Sequence, residues 1–396
     1  MNICMSGLDY SLAPIALREQ LSFTKNAVMD MDQAICAADG VRGAVLLSTC
    51  NRTELYLSLD DGVQADPGEL LCRAAGLSYE PFASAFLTRR GEACARHLMA
   101  VACGLESQIL GEDQILTQVK TAALLARQAG CGEAALETLF RLAAACGKSA
   151  KSGGRLTGVA TSAAHRAVEA ARERLGDLAG KRALVIGNGE MGRLAASLLV
   201  EAGCDTTVTL RSYHHGETVV PAGCAVVPYD DRFLAMEGMG LVLSATTSPH
   251  YTIYTQPFQA VKNPPSLLID LAIPRDIQPE TGDLPGVALL NVDDLGRAVV
   301  GADAKALARV EAVMDEHLER FRQWSIYRES LPALEELKAV LRVRIGAYLE
   351  EDMEPEETAE LTIDKVVDLL AGGMTEGFTS DAISACAAKI RSHTRA

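Results

Sequence analysis

Apolar residues along the first 150 positions follow two different spacings. Short runs at residues 2–8, 44–47 and 54–59 have the length of buried strands. Residues 93–103 and 109–129 instead repeat apolar side chains at the spacing of a helix face. This mixture of strands and helices predicts an α+β domain in the N-terminal part of the chain.

The pattern changes beyond a predicted helix at residues 159–175. Strands are predicted over residues 182–186, 206–210, 240–244 and 266–270, with a helix over residues 190–201 after the first of them. Strands that alternate with helices form a parallel sheet with helices on both faces. This part of the chain is therefore predicted to be a Rossmann-type domain.

The last quarter of the chain is helical and rich in charge. Helices are predicted over residues 310–327 and 334–349, with Pro332 interrupting them. A loop over residues 350–357 and a short helix over residues 361–370 follow.

The predicted fold class is multidomain α/β, with a hinge at the glycines that follow Ser152. An α+β domain covers residues 1–152 and a Rossmann-type domain covers residues 153–292. A helical part covers residues 293–396.

The chain is acidic as a whole but has one segment rich in basic residues. The 396 residues carry a formal charge of −15, which argues against a nucleic-acid partner. Between Arg141 and Arg182, however, nine basic residues stand against three acidic ones. Such a segment either contacts phosphates or is a solvated helix face.

Cysteine usage and hydropathy exclude several classes of protein. The eleven cysteines are scattered without a Cys-x-x-Cys pair, which argues against a disulfide framework and against a zinc site, so no metal is expected. The N-terminus lacks the basic start and apolar core of a signal peptide. No apolar run reaches the ~18 residues that a membrane span needs. We therefore expect a cytoplasmic protein without membrane contact.

A glycine-rich turn joins the predicted strand at residues 182–186 to the helix at residues 190–201. Its first glycine makes a tight turn, its second lets the backbone approach a pyrophosphate, and its third lets helix and strand pack closely. The alternative is a Rossmann-like domain that binds nothing. The candidate cofactor-binding residues are Gly187, Asn188, Gly189, Glu190, Met191 and Gly192.

The end of the next predicted strand indicates which dinucleotide binds. NAD enzymes place an acidic residue there to hold the ribose 2′-hydroxyl. Here Arg211 and Ser212 follow the strand at residues 206–210. A guanidinium and a hydroxyl suit a 2′-phosphate, which favours NADPH, unless Arg211 is only a loop charge.

Cys50 lies where the predicted strand at residues 44–47 gives way to polar residues, and Arg52 follows two positions later. The thiolate is the reactive form of cysteine, and a nearby guanidinium favours it. Cys50 is therefore a candidate nucleophile, and the alternative is a buried structural thiol. Together with a hydride cofactor, it suggests an acyl group that is captured as a thioester and then reduced.

A second group of polar residues begins at His97. A histidine can accept or release a proton near neutral pH, although a single helical histidine more often only packs. The others form either the wall of a polar pocket or a wet helix face. They are Ser107, Glu112, Asp113, Gln114 and Gln118.

Several sequence strings, taken in order, resemble the glutamyl-tRNA reductase family. The resemblance covers most of the chain, and its most distinctive string is Leu-Ile-Asp-Leu-Ala-Ile-Pro-Arg-Asp-Ile at residues 268–277. The other strings lie at residues 48–56, 96–98, 104–107, 110–116, 118–120, 185–192 and 248–251.

The resemblance implies the NADPH-dependent reduction of glutamyl-tRNA(Glu) to glutamate-1-semialdehyde, the first step of tetrapyrrole (5-aminolevulinate) biosynthesis from glutamate. Cys50 would attack the ester, release the tRNA and hold the glutamyl group as a thioester. Arg52 would anchor the substrate carboxylate, and His97 would assist proton transfer. The residues implied to hold the glutamyl group or line its pocket are Thr49, Asn51, Ser107, Glu112, Asp113, Gln114 and Gln118.

The same resemblance implies a C-terminal helical dimerisation domain on one long helix, and hence a homodimer. A transient complex with glutamate-1-semialdehyde aminomutase is a further expectation from the family.

The chain departs from the family pattern near its start, where Tyr10 stands for the usual His and Leu12 for the usual Thr. These changes support one alternative, a non-catalytic regulatory paralogue. The other alternative is an NADPH oxidoreductase of the shikimate-dehydrogenase type, which leaves Cys50 and its neighbours unexplained.

Overall fold

The computed structural model describes residues 2–49, 51–107, 114–152, 162–211, 219–295, 304–346 and 354–373, together with residue 384. The chain divides into two compact units, Met1–Arg322 and Gln323–Ala396. The first unit contains two β-sheets, and the described part of the second unit is helical.

The first part of unit one, here called the N-terminal domain, combines an antiparallel sheet with helices. Its elements are β1 (Ile3–Asp9), α1 (Ile15–Arg18), α2 (Lys25–Cys36), β2 (Val41–Ser48), β3 (Arg52–Leu59), α3 (Pro67–Ala74), β4 (Leu87–Arg90), α4 (Gly91–Ala102), α5 (Gln114–Gln128) and α6 (Ala134–Ser152). The strands pair antiparallel in the order β2-β3-β1-β4.

Strand β3 is covered on both faces, and all eight of its residues are buried. Leu55 and Leu57 belong to the core that α2 and α3 share. On the other face Tyr56 meets the ring of Phe140 in α6 edge-on, with 5.2 Å between ring centroids. Because side chains alternate along a strand, Glu54 lies on the same face as Tyr56.

The second part of unit one, here called the parallel-sheet domain, alternates strands and helices. Its elements are α7 (Ala163–Leu175), β5 (Arg182–Ile186), α8 (Glu190–Glu201), β6 (Asp205–Leu210), β7 (Ala225–Pro228), α9 (Arg232–Ala235), β8 (Leu241–Ser244), α10 (Thr255–Gln259), β9 (Leu267–Asp270) and β10 (Ala288–Asn291). Six parallel strands lie in the order β7-β6-β5-β8-β9-β10, the order of a dinucleotide-binding fold.

Both faces of this sheet carry a hydrophobic core. Val185 and Leu243 pack in the cluster that includes α7 and α8, whereas Leu184 and Val242 pack on the opposite face with Phe258 of α10. The strand order reverses between β5 and β8, and ligands bind at the carboxyl ends of the strands beside such a switch point.

The predicted fold class is confirmed by this architecture, with three strands added. The sequence pattern did not predict β4, β7 or β10, and each of them is an edge strand. The predicted helices at residues 109–129 and 159–175 are described only from Gln114 and Ala163 onward. Domain boundaries after residues 152 and 292 remain a prediction.

Two predictions for the helical part are wrong. Pro332 does not interrupt the helix, because α11 (Ala304–Gly346) runs through it; proline removes one backbone hydrogen bond, and the bonds on either side persist. The predicted loop ends earlier than residue 357, because α12 (Pro355–Gly373) begins at Pro355. Proline suits the first helical position, and Glu356 and Glu357 favour a helix N-terminus.

The length and hydropathy of the helices show whether any of them could cross a membrane. Within the described ranges, no helix is both long and apolar enough to cross a membrane.

Candidate active site

The turn between β2 and β3 is held by hydrogen bonds among its own residues. The Thr49 amide donates to the Arg52 carbonyl at 2.9 Å, and the Thr49 hydroxyl oxygen accepts from the amides of Asn51 and Arg52 at 3.2 and 3.1 Å. The residue after strand β1 adds a bond from the Tyr10 amide to the Asn51 carbonyl. Cys50 lies within this turn and outside the described residues.

A buried carboxylate organises the side chains beside this turn. Glu54 accepts a hydrogen bond from Arg52 Nη1 at 2.6 Å and lies 2.9 Å from His97 Nε2, both at Oε1. Its other oxygen accepts from the Tyr56 hydroxyl at 2.7 Å. All four side chains are buried, so the sheet encloses a compact charged network.

Charge compensation decides the ionisation of this network. Burial alone would raise the pKa of Glu54, but the positive charge of Arg52, together with His97 and the Tyr56 hydroxyl, holds that pKa well below its ordinary value. Burial and the negative charge of Glu54 together raise the pKa of Tyr56 well above its usual range. The network therefore contains a carboxylate, a guanidinium and a neutral phenol at pH 7.

The two ring nitrogens of His97 differ in their hydrogen bonding. A carboxylate only accepts hydrogen bonds, so Nε2 carries the proton that faces Glu54. Nδ1 is buried and has no hydrogen-bond partner among the described residues. In the neutral ring this nitrogen is a proton acceptor, which fits the predicted role of His97 in proton transfer.

The segment after α4 brings one further predicted residue, Ser107, near Arg52. After α4 the chain turns at Gly104, whose φ of 76° suits glycine, and leads to Glu106 and Ser107. Arg52 Nη2 donates to the Glu106 carbonyl. Ser107 is therefore the next residue along the chain from a direct partner of Arg52.

The remaining predicted pocket residues are placed less completely. Gln114 and Gln118 lie one helical turn apart at the start of α5, and both are half-buried. Glu112 and Asp113 lie outside the described residues. The roles of these four residues remain predictions.

The glycine-rich turn of the parallel-sheet domain has the geometry of a phosphate cradle. Gly187 has a φ of 104°, and a Cβ there would lie 2.5 Å from the Ala245 carbonyl oxygen. A Cβ on Gly192 would lie 1.9 Å from the Gly187 oxygen. A Cβ on Gly189 would meet no described atom within 4 Å, so open space lies above this backbone at the N-terminus of α8. The next residues, Glu190 and Met191, form the first turn of that helix.

Side chains around the turn keep the cradle in place. The Gly187 amide donates to the Thr209 hydroxyl at 3.3 Å, and the Asn188 side-chain amide donates to the Val219 carbonyl at 2.9 Å. The exposed guanidinium of Arg211 lies over the Tyr229 ring, 4.5 Å from its centroid. Ser212, the second predicted 2′-phosphate contact, lies outside the described residues.

Sequence reasoning from single residues missed two groups. Glu54 is not among the candidate residues drawn from the sequence, although alternation along β3 places Arg52, Glu54 and Tyr56 on one face. Asp276 was missed likewise; its carboxylate accepts from the Ser244 hydroxyl at 2.7 Å and the Thr246 amide at 2.8 Å. It therefore fixes the segment after β8, at the switch point of the sheet.

Two family models match this chain in succession. Residues 6–153 match the N-terminal domain of glutamyl-tRNAGlu reductase, and residues 169–298 match shikimate / quinate 5-dehydrogenase. The second match, the strand order and the glycine cradle together indicate a cleft for a nicotinamide cofactor.

Named relatives cover most of the chain. A glutamyl-tRNA reductase of Acetivibrio thermocellus is 41% identical over 84% of this chain and 99% of the relative. One of Alkaliphilus oremlandii is 38% identical over the same shares. The solved structure of the glutamyl-tRNA reductase from Methanopyrus kandleri is 28% identical, covers 93% of this chain and 99% of that chain, and superposes with a TM-score of 0.43.

Proposed function

This chain belongs to the glutamyl-tRNA reductase family, and we propose on that premise that it reduces glutamyl-tRNA(Glu) to glutamate-1-semialdehyde with NADPH. The observation that carries the proposal is the buried Arg52–Glu54–His97 network beside the turn that contains Cys50. The family relatives do not favour the two alternatives, a regulatory paralogue and a shikimate-dehydrogenase-like oxidoreductase.

In the proposed first step, the Cys50 sulfur forms a bond to the glutamyl carbonyl carbon and the ester C–O bond breaks. The tRNA leaves through its terminal ribose oxygen, which takes up a proton. Nδ1 of His97 is the group proposed to accept the thiol proton and return it to that oxygen. Glu54 keeps the imidazole in the tautomer that this transfer needs.

When bound at the glycine cradle of residues 187–192, NADPH would supply the hydride for reduction of the thioester to the aldehyde. The carbon–sulfur bond then breaks and Cys50 is regenerated as a thiolate. Arg52 remains the proposed anchor of the substrate carboxylate, and its burial beside Glu54 keeps the guanidinium in one orientation. Thr49 and Asn51 fix the backbone of the turn, and Ser107 lies next to it.

The test of this function is a single-turnover reaction of the full chain with glutamyl-tRNA(Glu) and NADPH. We expect NADPH oxidation and semialdehyde formation in equal amounts. NADPH oxidation without semialdehyde, or tRNA release without reduction, would contradict the proposal.

The choice of NADPH rests on Arg211. We predict that Arg211→Ala lowers the ratio of kcat/KM for NADPH to that for NADH by about 10- to 100-fold, because a hydrogen bond to a charged group contributes about 1.5–3 kcal/mol. The matched control is Arg73→Ala, an exposed arginine on α3. An equal loss with both cofactors would assign Arg211 to the fold and leave the preference unexplained.

The basic segment 141–182 is proposed as part of the tRNA surface. On α6, Lys148 is exposed and Lys151 is half-buried, and both lie close to residue 152, where the N-terminal domain ends. Phosphate contacts of this kind make binding depend steeply on salt.

A homodimer is proposed through the second unit. Its helices expose large apolar side chains, with Val340 53%, Val343 78% and Ile363 62% accessible. Exposed apolar surface of this extent marks an interaction site. Light scattering is expected to give twice the chain mass of 42.1 kDa, and Val343→Glu to shift it toward one chain.

Two further parts of the proposal rest on the sequence analysis and on the family, respectively. They are a cytoplasmic location and a transient complex with glutamate-1-semialdehyde aminomutase, which would take the reactive aldehyde directly.

A further inference from the structure

We propose that two ion pairs clasp the N-terminal domain to the parallel-sheet domain and so position the Cys50 thioester for hydride transfer. The pairs are Glu19 with Arg275 and Arg18 with Asp293. This inference rests on the proposed function, because it assigns these residues to the one step that needs both domains at once.

The first pair, between Arg275 and Glu19, is a bidentate salt bridge. Arg275 Nε donates to Glu19 Oε2 at 2.9 Å, and Nη2 donates to Oε1 at 2.5 Å. Each side chain is only 19% accessible, so water and salt screen the pair less than an exposed one. A guanidinium and a carboxylate joined in this way fix angle as well as distance.

The second pair is formed by Arg18, the residue that precedes Glu19 in the chain. Arg18 Nη2 donates to Asp293 at 2.5 Å, and Arg18 Nε donates to the Ala13 carbonyl within its own domain. Arg18 is 2% accessible, and its bond to the Ala13 carbonyl orients the guanidinium that meets Asp293. The Ser22 hydroxyl adds a longer contact of 3.4 Å to the Ile273 carbonyl.

The order of charges makes this contact specific. Positive Arg18 and negative Glu19 are adjacent, and they meet a negative and a positive residue of the other domain, respectively. A shift that brought Arg18 to Arg275 or Glu19 to Asp293 would set like charges against each other. Complementary charge of this kind selects one alignment of two surfaces.

On one side the clasp connects to the cofactor cleft. Arg275 immediately precedes Asp276, which holds the Thr246 amide at 2.8 Å and the Thr246 hydroxyl at 2.5 Å. The neighbouring Ala245 carbonyl lies against Gly187 of the glycine cradle. A displacement of Arg275 would therefore also displace Asp276 and the segment at Thr246 that borders the cleft.

On the other side the clasp connects to the turn that contains Cys50. The Leu21 carbonyl accepts from the Thr53 hydroxyl at 2.8 Å, and the Phe23 amide donates to the Ser48 hydroxyl at 3.3 Å. Ser48 and Thr53 are the paired residues that flank the turn. A short segment, residues 18–23, thus holds the thiol turn and the cleft in one alignment.

The clasp is expected to matter for one half-reaction only. The bond changes of acyl transfer use Cys50 and His97 of the N-terminal domain, whereas hydride transfer needs the thioester and the nicotinamide in register. A misplacement of about 1 Å can lower a reaction rate by ~10²-fold. Glu19 and Arg275 are therefore positioning residues, which act through the alignment of the two domains.

The experiment compares Glu19→Arg, Arg275→Glu and the double variant, which exchanges the two charges. Each single variant is expected to lower the single-turnover rate of NADPH oxidation ~10- to 100-fold, while tRNA release measured without NADPH stays at the wild-type rate. The double variant is expected to recover most of the lost rate. Amide exchange at residues 244–246 and 271–277 should accelerate in the single variants and return to normal in the double variant.

The controls separate this inference from the proposed function. Glu92→Arg breaks an exposed ion pair with Arg322 and is expected to change neither half-reaction. Single variants with wild-type NADPH oxidation, or an equal loss in both half-reactions that the double variant does not recover, would overturn the clasp. Failure of the wild type to reduce glutamyl-tRNA would instead overturn the proposed function.

Discussion

Cys50→Ser is expected to abolish the reduction of glutamyl-tRNA, with a loss in kcat on the order of 10⁴- to 10⁶-fold, the range typical for removal of a nucleophile. A serine hydroxyl stays protonated at neutral pH, and the ester it would form is less reactive toward hydride than a thioester. The substitution changes one atom, so the backbone of the turn and its bonds from Thr49 should persist. The measurement is single-turnover formation of the semialdehyde.

A second cysteine supplies the control for this prediction. Cys224 is a half-buried thiol in the parallel-sheet domain, and Cys224→Ser should leave the rate unchanged. Cofactor binding shows that the Cys50→Ser protein is folded. It is measured as the change in NADPH fluorescence on addition of the protein. Substantial reduction by the Cys50→Ser protein would remove the thioester from the mechanism.

Glu54→Gln is expected to destabilise the N-terminal domain by about 3–5 kcal/mol, the usual cost of breaking a buried ion pair by removing one partner. The guanidinium of Arg52 would remain buried without its charge partner, and an amide would replace the acceptor that His97 and Tyr56 share. Amide hydrogen exchange along β3 measures the effect, because each 1.4 kcal/mol accelerates exchange about tenfold. Exchange should therefore accelerate by more than ~100-fold.

The pH dependence of stability gives an independent check on the same residue. The pKa of Glu54 is lower in the folded protein than its ordinary value of 4.5, so its contribution is complete above pH 4.5 and is lost as the pH falls below it. Glu54→Gln should lose this part of the acid dependence. The control is Glu201→Gln, an exposed residue at the end of α8, for which a change within about 0.5 kcal/mol is expected. Equal stability of Glu54→Gln and wild type would contradict the network.

The parallel-sheet domain was the most predictable part of the chain. The predicted bounds of β5 and α8 agree with the structure residue for residue, because the last four residues of β5 form a buried, continuous apolar run and glycines mark where the helix begins. Strands β7 and β10 escaped prediction since they are short and lie at the edges of the sheet, where few of their residues are buried.

The site was predictable only in part, for a different reason. The local order Thr49, Cys50, Asn51, Arg52 indicates a nucleophile and an anchor, and strand alternation places Glu54 beside Arg52. The contact between Glu54 and His97 joins residues 43 positions apart, so no local pattern reveals it. The clasp is harder still to predict, because Glu19 and Arg275 are 256 positions apart. In the sequence, nothing distinguishes either residue from an ordinary charged residue on the surface.

The charges in β3 also have a consequence for the newly synthesised chain. The apolar runs Val45–Leu47 and Leu55–Leu57 lie on adjacent strands and are exposed until the sheet closes. Apolar segments of this kind assemble with copies of themselves as cross-β stacks, in which identical residues repeat about every 4.8 Å. Arg52 and Glu54 would then stack against their own copies and repel, whereas in the native strand they neutralise each other. The residues that organise the candidate active site would thus also act as gatekeepers against aggregation during synthesis.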